Sequence, residues 1–390
     1  MNGAGKKVVV VTNSSSYEPR AESVGELFKQ QGAQVLWVET DFIHREKVKK
    51  VRSAPDHMYI DTVPYRKNLS VRRLYSQYDF ARKAEKILEK EQADMVYMIL
   101  PANSLAAAGD RLKRKMNRAI LVFDILDLWP ESLGGKKLQK LWPFQCWRRL
   151  RDDHLKAADL VITECHYFQK FINAKQKKTA VVYWPKEVPE GWKMEAPENE
   201  APESPAVIHF AYLGSINNII DIDGIVNFLE ITGKMTPVFL HVVGDGENRG
   251  LFEEKLKSKG IKAEFYGAVY EEAVKAEIFS RCMFGINMMK PGVCVGLTMK
   301  SIDYFCYGLP LVNNIPGDTW ELVKQEQIGI NYRQDAALKC AQELLALAQS
   351  DRLKEIKYKM QSLYMKLFTQ EAAENVIRER VFPLLEGGPK

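Results

Sequence analysis

Thr298, Lys300 and Asp303 stand within six positions of one another in the stretch GLTMKSIDYFCYGLPLV, residues 296–312. The stretch reads as a loop, a helix of two to three turns with Thr298 as its N-cap, a stop at Gly308 and a short buried strand. The amides following Gly296 and Leu297 would lack intrahelical partners and carry a partial positive charge, an anion site suited to a diphosphate. Lys300 and Asp303 are neighbours on the helix surface, one a cation for phosphate and the other an acceptor for a sugar hydroxyl. Taken alone, the stretch also fits an ordinary strand-connecting helix.

Such a helix needs strands to aim it, and the chain supplies them. Residues 6–12 form a buried apolar run, AESVGELFKQQG reads as an amphipathic helix and QVLWVET as a second strand. A strand, helix and strand of this kind imply a right-handed crossover and a parallel sheet. The alternation continues through MYIDTVPY, a long helix from about Ser70 to Gln92, MVYMIL, a helix from Ser104, AILVFDIL, a helix over roughly 136–157, DLVITEC and TAVVYWP. One doubly wound domain is therefore expected over 1–185. The Pro- and Glu-rich segment 186–205 has the character of a solvated linker. Alternation then resumes over 206–368, and residues 369–390 read as a C-terminal helix packing back on the first domain. The fold class expected is α/β, two Rossmann-like doubly wound domains.

No apolar run approaches the roughly 20 residues that span a bilayer, and KKVVVVT is too short for a secretory signal. Six scattered cysteines without a CxxC pair suggest reduced thiols in a cytoplasmic protein, and no histidine has metal-ligand spacing. Residues 1–185 hold 33 basic against 21 acidic side chains, about +12, while the remainder is about −6. The basic residues cluster in HREKVKKVR (44–52), RKNLSVRR (66–73), RLKRKMNR (111–118) and KKLQKLWPFQCWRRLR (136–151). Negatively charged partners follow: lipid headgroups, a pyrophosphate or nucleic acid.

In open parallel sheets ligands bind beyond the carboxyl ends of the strands. Four such loops stand out in the second half: GSIN (214–217), VGDGEN (243–248), FYG (265–267) and MMKPGVCVGLT (288–298). Each alone is compatible with plain turn chemistry. In the first half, DLWPES (127–132) places Asp127 at a strand's carboxyl end, and it reads either as a turn or as a functional loop. The string DID (221–223) has the form of a metal-binding pair but suits a helix start. The helix over 136–157 carries an apolar stripe that reads as core or as a surface among headgroups.

The order YLGSIN, VVGDGEN, EFYG, MMKPGVCVGLT and KSIDYFCYGLPLV resembles the nucleotide-sugar domain of GT-B glycosyltransferases, and among them glycosyltransferase family 4. The similarity covers nearly the whole chain; PRAESVGELFKQQGAQV resembles the family's first helix and second strand, and DLWPES a loop of bacterial polysaccharide transferases. The resemblance implies two domains facing across a cleft and a retaining transfer of a sugar from a nucleoside diphosphate donor, UDP-linked, to a saccharide. That acceptor would be lipid-linked, in cell-surface capsule or exopolysaccharide synthesis. It implies a donor site built from Gly214, Ser215, Asn217, Gly244, Arg249, Tyr266, Gly267, Lys290, Leu297, Thr298, Lys300 and Asp303. Ribose would meet Asp303, and diphosphate the amides of Leu297 and Thr298. The acceptor would meet Ser15, Ser16, Tyr17, Arg20, Trp129 and Glu131, with Asp127 orienting its hydroxyl. No metal, no cofactor beyond the nucleotide sugar and no nucleic acid are expected, and the location implied is cytoplasmic, peripheral on the inner face of the plasma membrane.

The sequence departs from the family at Val295, where an acidic residue is usual, at Asp303, where Glu is usual, and in SINNIIDID, which lacks the usual Arg and Lys. Lys300, Lys290 or Arg249 would then neutralise the diphosphate. Two other readings fit the same architecture: a UDP-sugar epimerase, and a non-catalytic nucleotide-sugar-binding partner subunit.

Overall fold

The computed structural model describes residues 5–133, 139–172, 178–194 and 206–387. The chain divides into two compact units, one made of 1–183 with 373–390 and the other of 184–372.

The first unit is built on β1 (Lys7–Thr12), α1 (Glu18–Gln30), β2 (Gln34–Thr40), a two-strand hairpin of β3 (Phe42–Ile43) and β4 (Val48–Lys49), and β5 (His57–Ile60). There follow α2 (Val71–Glu91), β6 (Met95–Leu100), α3 (Asn103–Lys115), β7 (Ile120–Ile125), α4 (Trp142–Asp152), β8 (Leu160–Thr163), the one-turn α5 (His166–Gln169) and β9 (Thr179–Val181). Seven strands form a parallel sheet in the order β5-β2-β1-β6-β7-β8-β9. Val8 to Val11 of β1 are wholly buried. An uninterrupted β-branched run is what a central strand covered on both faces requires. From β5 the chain returns to the opposite side of β1, so the loops after β1 and β6 flank a topological switch point.

The second unit repeats the plan with β10 (Ile208–Leu213), α6 (Ile222–Gly233), β11 (Val238–Val243), α7 (Arg249–Ser258), β12 (Lys262–Gly267), α8 (Glu272–Ser280) and β13 (Phe284–Asn287). It continues with α9 (Met299–Cys306), β14 (Leu311–Asn313), α10 (Asp318–Glu326), β15 (Gly329–Asn331), α11 (Ala337–Ala348) and α12 (Arg352–Leu367). The sheet order β12-β11-β10-β13-β14-β15 is again parallel and switches direction between β10 and β13. The loops 214–217 and 288–298 leave these two strands. The two-domain α/β class expected from the alternation is the one observed.

Some expectations change in detail. Of the expected linker, 195–205 lies outside the described residues. Residues 186–194 are fastened to the second unit: the Lys186 amide donates to Phe368 O at 2.8 Å, Tyr364 Oη donates to Glu187 O at 3.0 Å and Trp192 Nε1 donates to Cys306 O at 2.9 Å. The C-terminal residues form α13 (Gln370–Arg380) and α14 (Phe382–Gly387). Arg380 Nη2 donates to Thr179 O at 2.9 Å, and the Phe382 ring lies 5.1 Å from that of Phe28. The expected helix over 136–157 is shorter, since α4 begins at Trp142, where Pro143 fits a first turn, and 134–138 lies outside the described residues. Its stripe is not core. Trp142 is 74% exposed, Leu141 and Leu150 are exposed, and the buried member of α4 is Arg151. Among the described residues no helix is long and apolar enough to cross a membrane.

Candidate functional site

Helix α9 is placed by its own sequence. The Thr298 hydroxyl accepts from the Ser301 amide at 3.2 Å, capping the helix and leaving its earlier amides without intrahelical partners. A ladder of asparagines holds the cap in turn. Asn287 Oδ1 accepts from Thr298 Oγ1 at 3.3 Å, its Nδ2 donates to Asn313 Oδ1 at 3.0 Å, and Asn313 Nδ2 donates to Asn331 Oδ1 at 2.9 Å. Buried amides so paired leave few alternative arrangements, so three adjacent strands fix one helix start. Farther along α9, Tyr304 Oη accepts from the Leu213 amide at 2.8 Å and donates to Ile286 O at 3.1 Å, pinning the helix to β10 and β13. Its ring lies where a side chain on Gly285 would be, since an added Cβ would fall 2.6 Å from Tyr304 Cγ.

Lys300 projects from this start into the sheet. The residue is 8% exposed, its ammonium has no hydrogen-bond partner among the described residues, and it lies 5.0 Å from the centre of the Tyr212 ring. Burial alone pushes its pKa down to about 7. A buried cation with no carboxylate beside it is costly unless something else supplies the counter-charge. Gly214, with φ +113°, borders the same spot, where its missing Cβ would lie 4.0 Å from Lys300 Cδ. Gly244 approaches so closely that a Cβ there would fall 2.0 Å from Gly214 O, and one on Gly246 would fall 2.6 Å from Ile216 O. The two glycine turns therefore interlock at the end of β10 and β11.

The other expected donor residues are placed less uniformly. The Gly244 amide donates to Gly267 O at 2.7 Å, and Ser215 O accepts from Tyr212 Oη at 2.9 Å. Asn217 Oδ1 accepts from the Ile219 amide at 3.1 Å, and the Lys290 amide donates to Ile219 O at 2.8 Å. The Tyr266 hydroxyl donates to Glu264 Oε2 at 2.6 Å and meets His241 Nδ1 at 2.8 Å. Arg249 is held by Glu253 at 2.8 Å and Asp245 at 3.5 Å on the surface of α7. Asp303 is buried in an ion-pair cluster with Lys186 and, at 3.3 Å, with Lys275. These two lysines, 117 and 28 positions away, carried no signal in the local pattern. In the DID string, Asp221 Oδ1 accepts from the Gly224 amide at 3.0 Å and so caps α6, while Asp223 pairs with Lys255.

In the first unit, Asp127 lies beyond β7. Its Oδ1 accepts from Ser132 Oγ at 2.9 Å, and Trp129, the Leu128 amide and Tyr17 also hydrogen-bond to it. Burial raises its pKa despite those donors and despite the charge of Arg73. The phenol of Tyr17 is raised as well, by burial first and then by Asp127. Ser15 Oγ accepts from the His44 amide at 3.2 Å, and the Ser16 amide donates to Ser14 Oγ at 3.4 Å. Tyr17, Asp127 and Trp129 thus meet around one carboxylate.

Arg20 and Glu131 are placed differently from the expectation that they face an acceptor. Arg20 Nε donates to Asp124 Oδ2 at 2.9 Å in the interior, where Tyr97 Oη also donates to that oxygen at 2.6 Å. Glu131 is buried and forked by Arg151 at 2.8 and 3.1 Å. The place of Glu131 beyond the end of β7 was legible and Arg20 lies in the first turn of α1, but the direction in which each side chain turns was not legible. Arg73 was missed among the site residues: it lies 4.0 Å from the centre of the Trp129 ring.

Solved structures with the same overall fold span both units. The lipopolysaccharide outer core galactosyltransferase WaaB aligns over 97% of this chain and 99% of its own, at a TM-score of 0.67 and 14% identity. Anabaena HepE in complex with UDP and glucose aligns over 97% and 100%, at 0.61 and 12%. A Listeria monocytogenes protein described as a UDP-N-acetylglucosamine 2-epimerase aligns over 95% and 94%, at 0.54 and 11%. No protein-family model and no curated protein sequence matches the chain. The architecture is thus the two-domain GT-B fold, a class that holds both transferases and a protein described as an isomerase.

Proposed function

We propose that the protein is a retaining glycosyltransferase of the family 4 type, moving a sugar from a UDP-sugar to a saccharide on a lipid pyrophosphate carrier in cell-surface polysaccharide assembly, at the inner face of the membrane. The observation that carries this reading is Lys300, a buried ammonium without a counter-ion among the described residues, at the start of α9 and beside Gly214. A diphosphate there would gain both the lysine and the helix-start amides. WaaB is a galactosyltransferase and HepE is solved with UDP and glucose, and both share the whole-chain fold.

In this reading the second unit holds the donor. The acceptor hydroxyl attacks the anomeric carbon from the leaving-group face, the bond to the diphosphate breaks, and the departing phosphate accepts the hydroxyl's proton. The protein contributes position and a preformed cationic environment for the leaving diphosphate. Asp127, with Tyr17 beside it, orients the acceptor hydroxyl. No metal is assigned a step, because Lys300 and the helix-start amides take the charge-neutralising role. Asp303 accepts from ribose in competition with Lys186 and Lys275.

Purified protein incubated with a panel of UDP-sugars and membrane extract tests the reading. Acceptor-dependent release of UDP is expected. Interconversion of the sugar without acceptor would instead establish an epimerase, and tight binding without turnover a non-catalytic subunit. Asp127→Asn is expected to lower kcat roughly 10²- to 10⁴-fold while leaving UDP affinity unchanged; a wild-type kcat in that variant would remove Asp127 from the mechanism.

A further inference from the structure

Two of the basic clusters in the sequence meet in space. Lys47, from the loop between β3 and β4, and Arg66, Lys67 and Arg72, from the entry to α2, line a cleft of about 610 Å³ together with Tyr65 and Ser70. None of these four cations forms an ion pair among the described residues, in contrast to Lys49, Arg52 and Lys83 nearby, which are matched with Asp61, Glu18 and Asp79. The groups they do meet are neutral. Lys47 donates to Asn68 Oδ1 and contacts His44, and Arg72 Nε donates to Pro64 O at 2.7 Å. His44 is held uncharged by burial and the surrounding cations, which push its pKa down to about 4.

Behind the cleft stands Arg73. It is 8% exposed, its Nη1 donates to Asn68 O at 2.8 Å, and its buried Nε has no hydrogen-bond partner among the described residues. Its guanidinium lies 5.6 Å from the centre of the Tyr65 ring and 4.0 Å from that of Trp129. One side chain therefore joins the cleft to the Asp127 loop. The charge of Arg73 adds to burial in lowering the pKa of Lys47.

The first two turns of α2 carry a second anomaly. Their buried face holds Arg73, Ser76 and Gln77, whereas Val71, Leu74, Tyr75 and Tyr78, spaced for one helical face, point to solvent. Val71 is 83% exposed and Tyr75 56% exposed, and Leu69 extends the patch toward the cleft. An apolar helical stripe bordering unpaired cations matches an amphiphile with an anionic head and a hydrocarbon tail.

We propose that this surface binds the lipid-borne phosphate of the acceptor, the phosphate in the cleft of Lys47, Arg66, Lys67 and Arg72, and the hydrocarbon along Val71, Tyr75 and Tyr78. The inference rests on the reading of the chain as a transferase to a lipid-linked saccharide and names the subsite for its carrier. The cleft's link through Arg73 then places the charged head of the carrier one side chain from Asp127.

The test uses the full chain with saturating UDP present, so that inorganic pyrophosphate and farnesyl pyrophosphate cannot report on the donor site; UDP affinity is measured on the same samples. Farnesyl pyrophosphate is expected to bind at least roughly 10-fold more tightly than pyrophosphate. The exposed pair Arg66→Glu and Lys67→Glu is expected to weaken both ligands roughly 10-fold or more. Val71→Ser with Tyr75→Ser is expected to weaken farnesyl pyrophosphate alone. Equal affinity for the two ligands would remove the hydrocarbon half, and unaltered binding in the charge variant would remove the cleft. Binding to phosphatidylglycerol vesicles without binding of the soluble isoprenyl compound would replace the subsite with a bilayer surface and overturn it. A wild-type protein that binds farnesyl pyrophosphate at the cleft but not UDP would defeat the transferase reading and leave the lipid-phosphate site standing. In that case UDP is omitted, and Lys300→Met, expected to retain binding, serves as the donor-site control.

Discussion

Two regions of the molecule bury cations and treat them differently: the interior of the first unit around Arg20 and Arg151, and the start of α9 in the second. In the first unit Arg20 is matched by Asp124 and Arg151 by Glu131, each pair in contact at 2.8–2.9 Å and away from water. At the start of α9 Lys300 is also buried, but among the described residues its ammonium has no hydrogen-bond or ion-pair partner, and it faces the Tyr212 ring beside the turn at Gly214. A matched buried pair locks a conformation, and removing one partner strands the other. An unmatched one lowers the stability of the empty protein and is repaid when an anion arrives. The difference separates framework from binding site in a way that residue type alone does not.

The largest effect should come from breaking a matched pair. Arg20→Ala leaves the buried Asp124 without its cation and short of a donor, and denaturant unfolding is expected to register a loss of about 3–5 kcal/mol; a change under about 1 kcal/mol would mean that the pair is not structural. Lys300→Met should do the reverse. Calorimetric titration is expected to show UDP binding weakened roughly 10-fold or more, while the melting temperature of the unliganded protein rises. A fall in both would erase the contrast between the two regions.

The pH dependence sharpens it. The folded-state pKa of Lys300 is lowered to about 7 from 10.5, so between those values the unfolded chain holds a proton that the folded chain has released. The destabilisation therefore grows as pH falls from 10.5 towards 7 and is fully present below 7; Lys300→Met should stabilise more at pH 6 than at pH 10. A bound diphosphate restores the charged form. UDP affinity should accordingly fall as pH rises through about 7, with proton uptake visible as a buffer-dependent binding enthalpy. Both signatures should vanish in Lys300→Met. The smallest effect is expected for Thr298→Ala, about 1 kcal/mol of stability from the lost cap, with a comparable loss in UDP affinity.

How much of this was legible in the sequence follows the range of the interactions. The parallel sheets, the helix start at Thr298 and the glycine turns depend on local patterns, and all appear where those patterns stand. Asp303 could be placed on its helix, but the lysines that meet it come from positions 186 and 275 and leave no trace nearby. Glu131 belongs to a loop of the expected kind and Arg20 to the first turn of α1, yet neither setting declares which side chain turns inward. Helix α2 was expected from about Ser70 to Gln92 and runs from Val71 to Glu91. Which of its faces is covered is decided by α3 and β5, and for its first two turns the polar face won.

The interlock of Gly214 with Gly244, and of Ile216 with Gly246, has a consequence for how such a protein can diverge. Since a side chain at either glycine of the second turn would run into the backbone of the first, neither turn can change its path while the other stays fixed. The two loops form one heritable unit. Exchanging either alone with a relative's should abolish folding of the second unit more often than exchanging both, and a change of sugar specificity would be reached more readily through residues outside this pair.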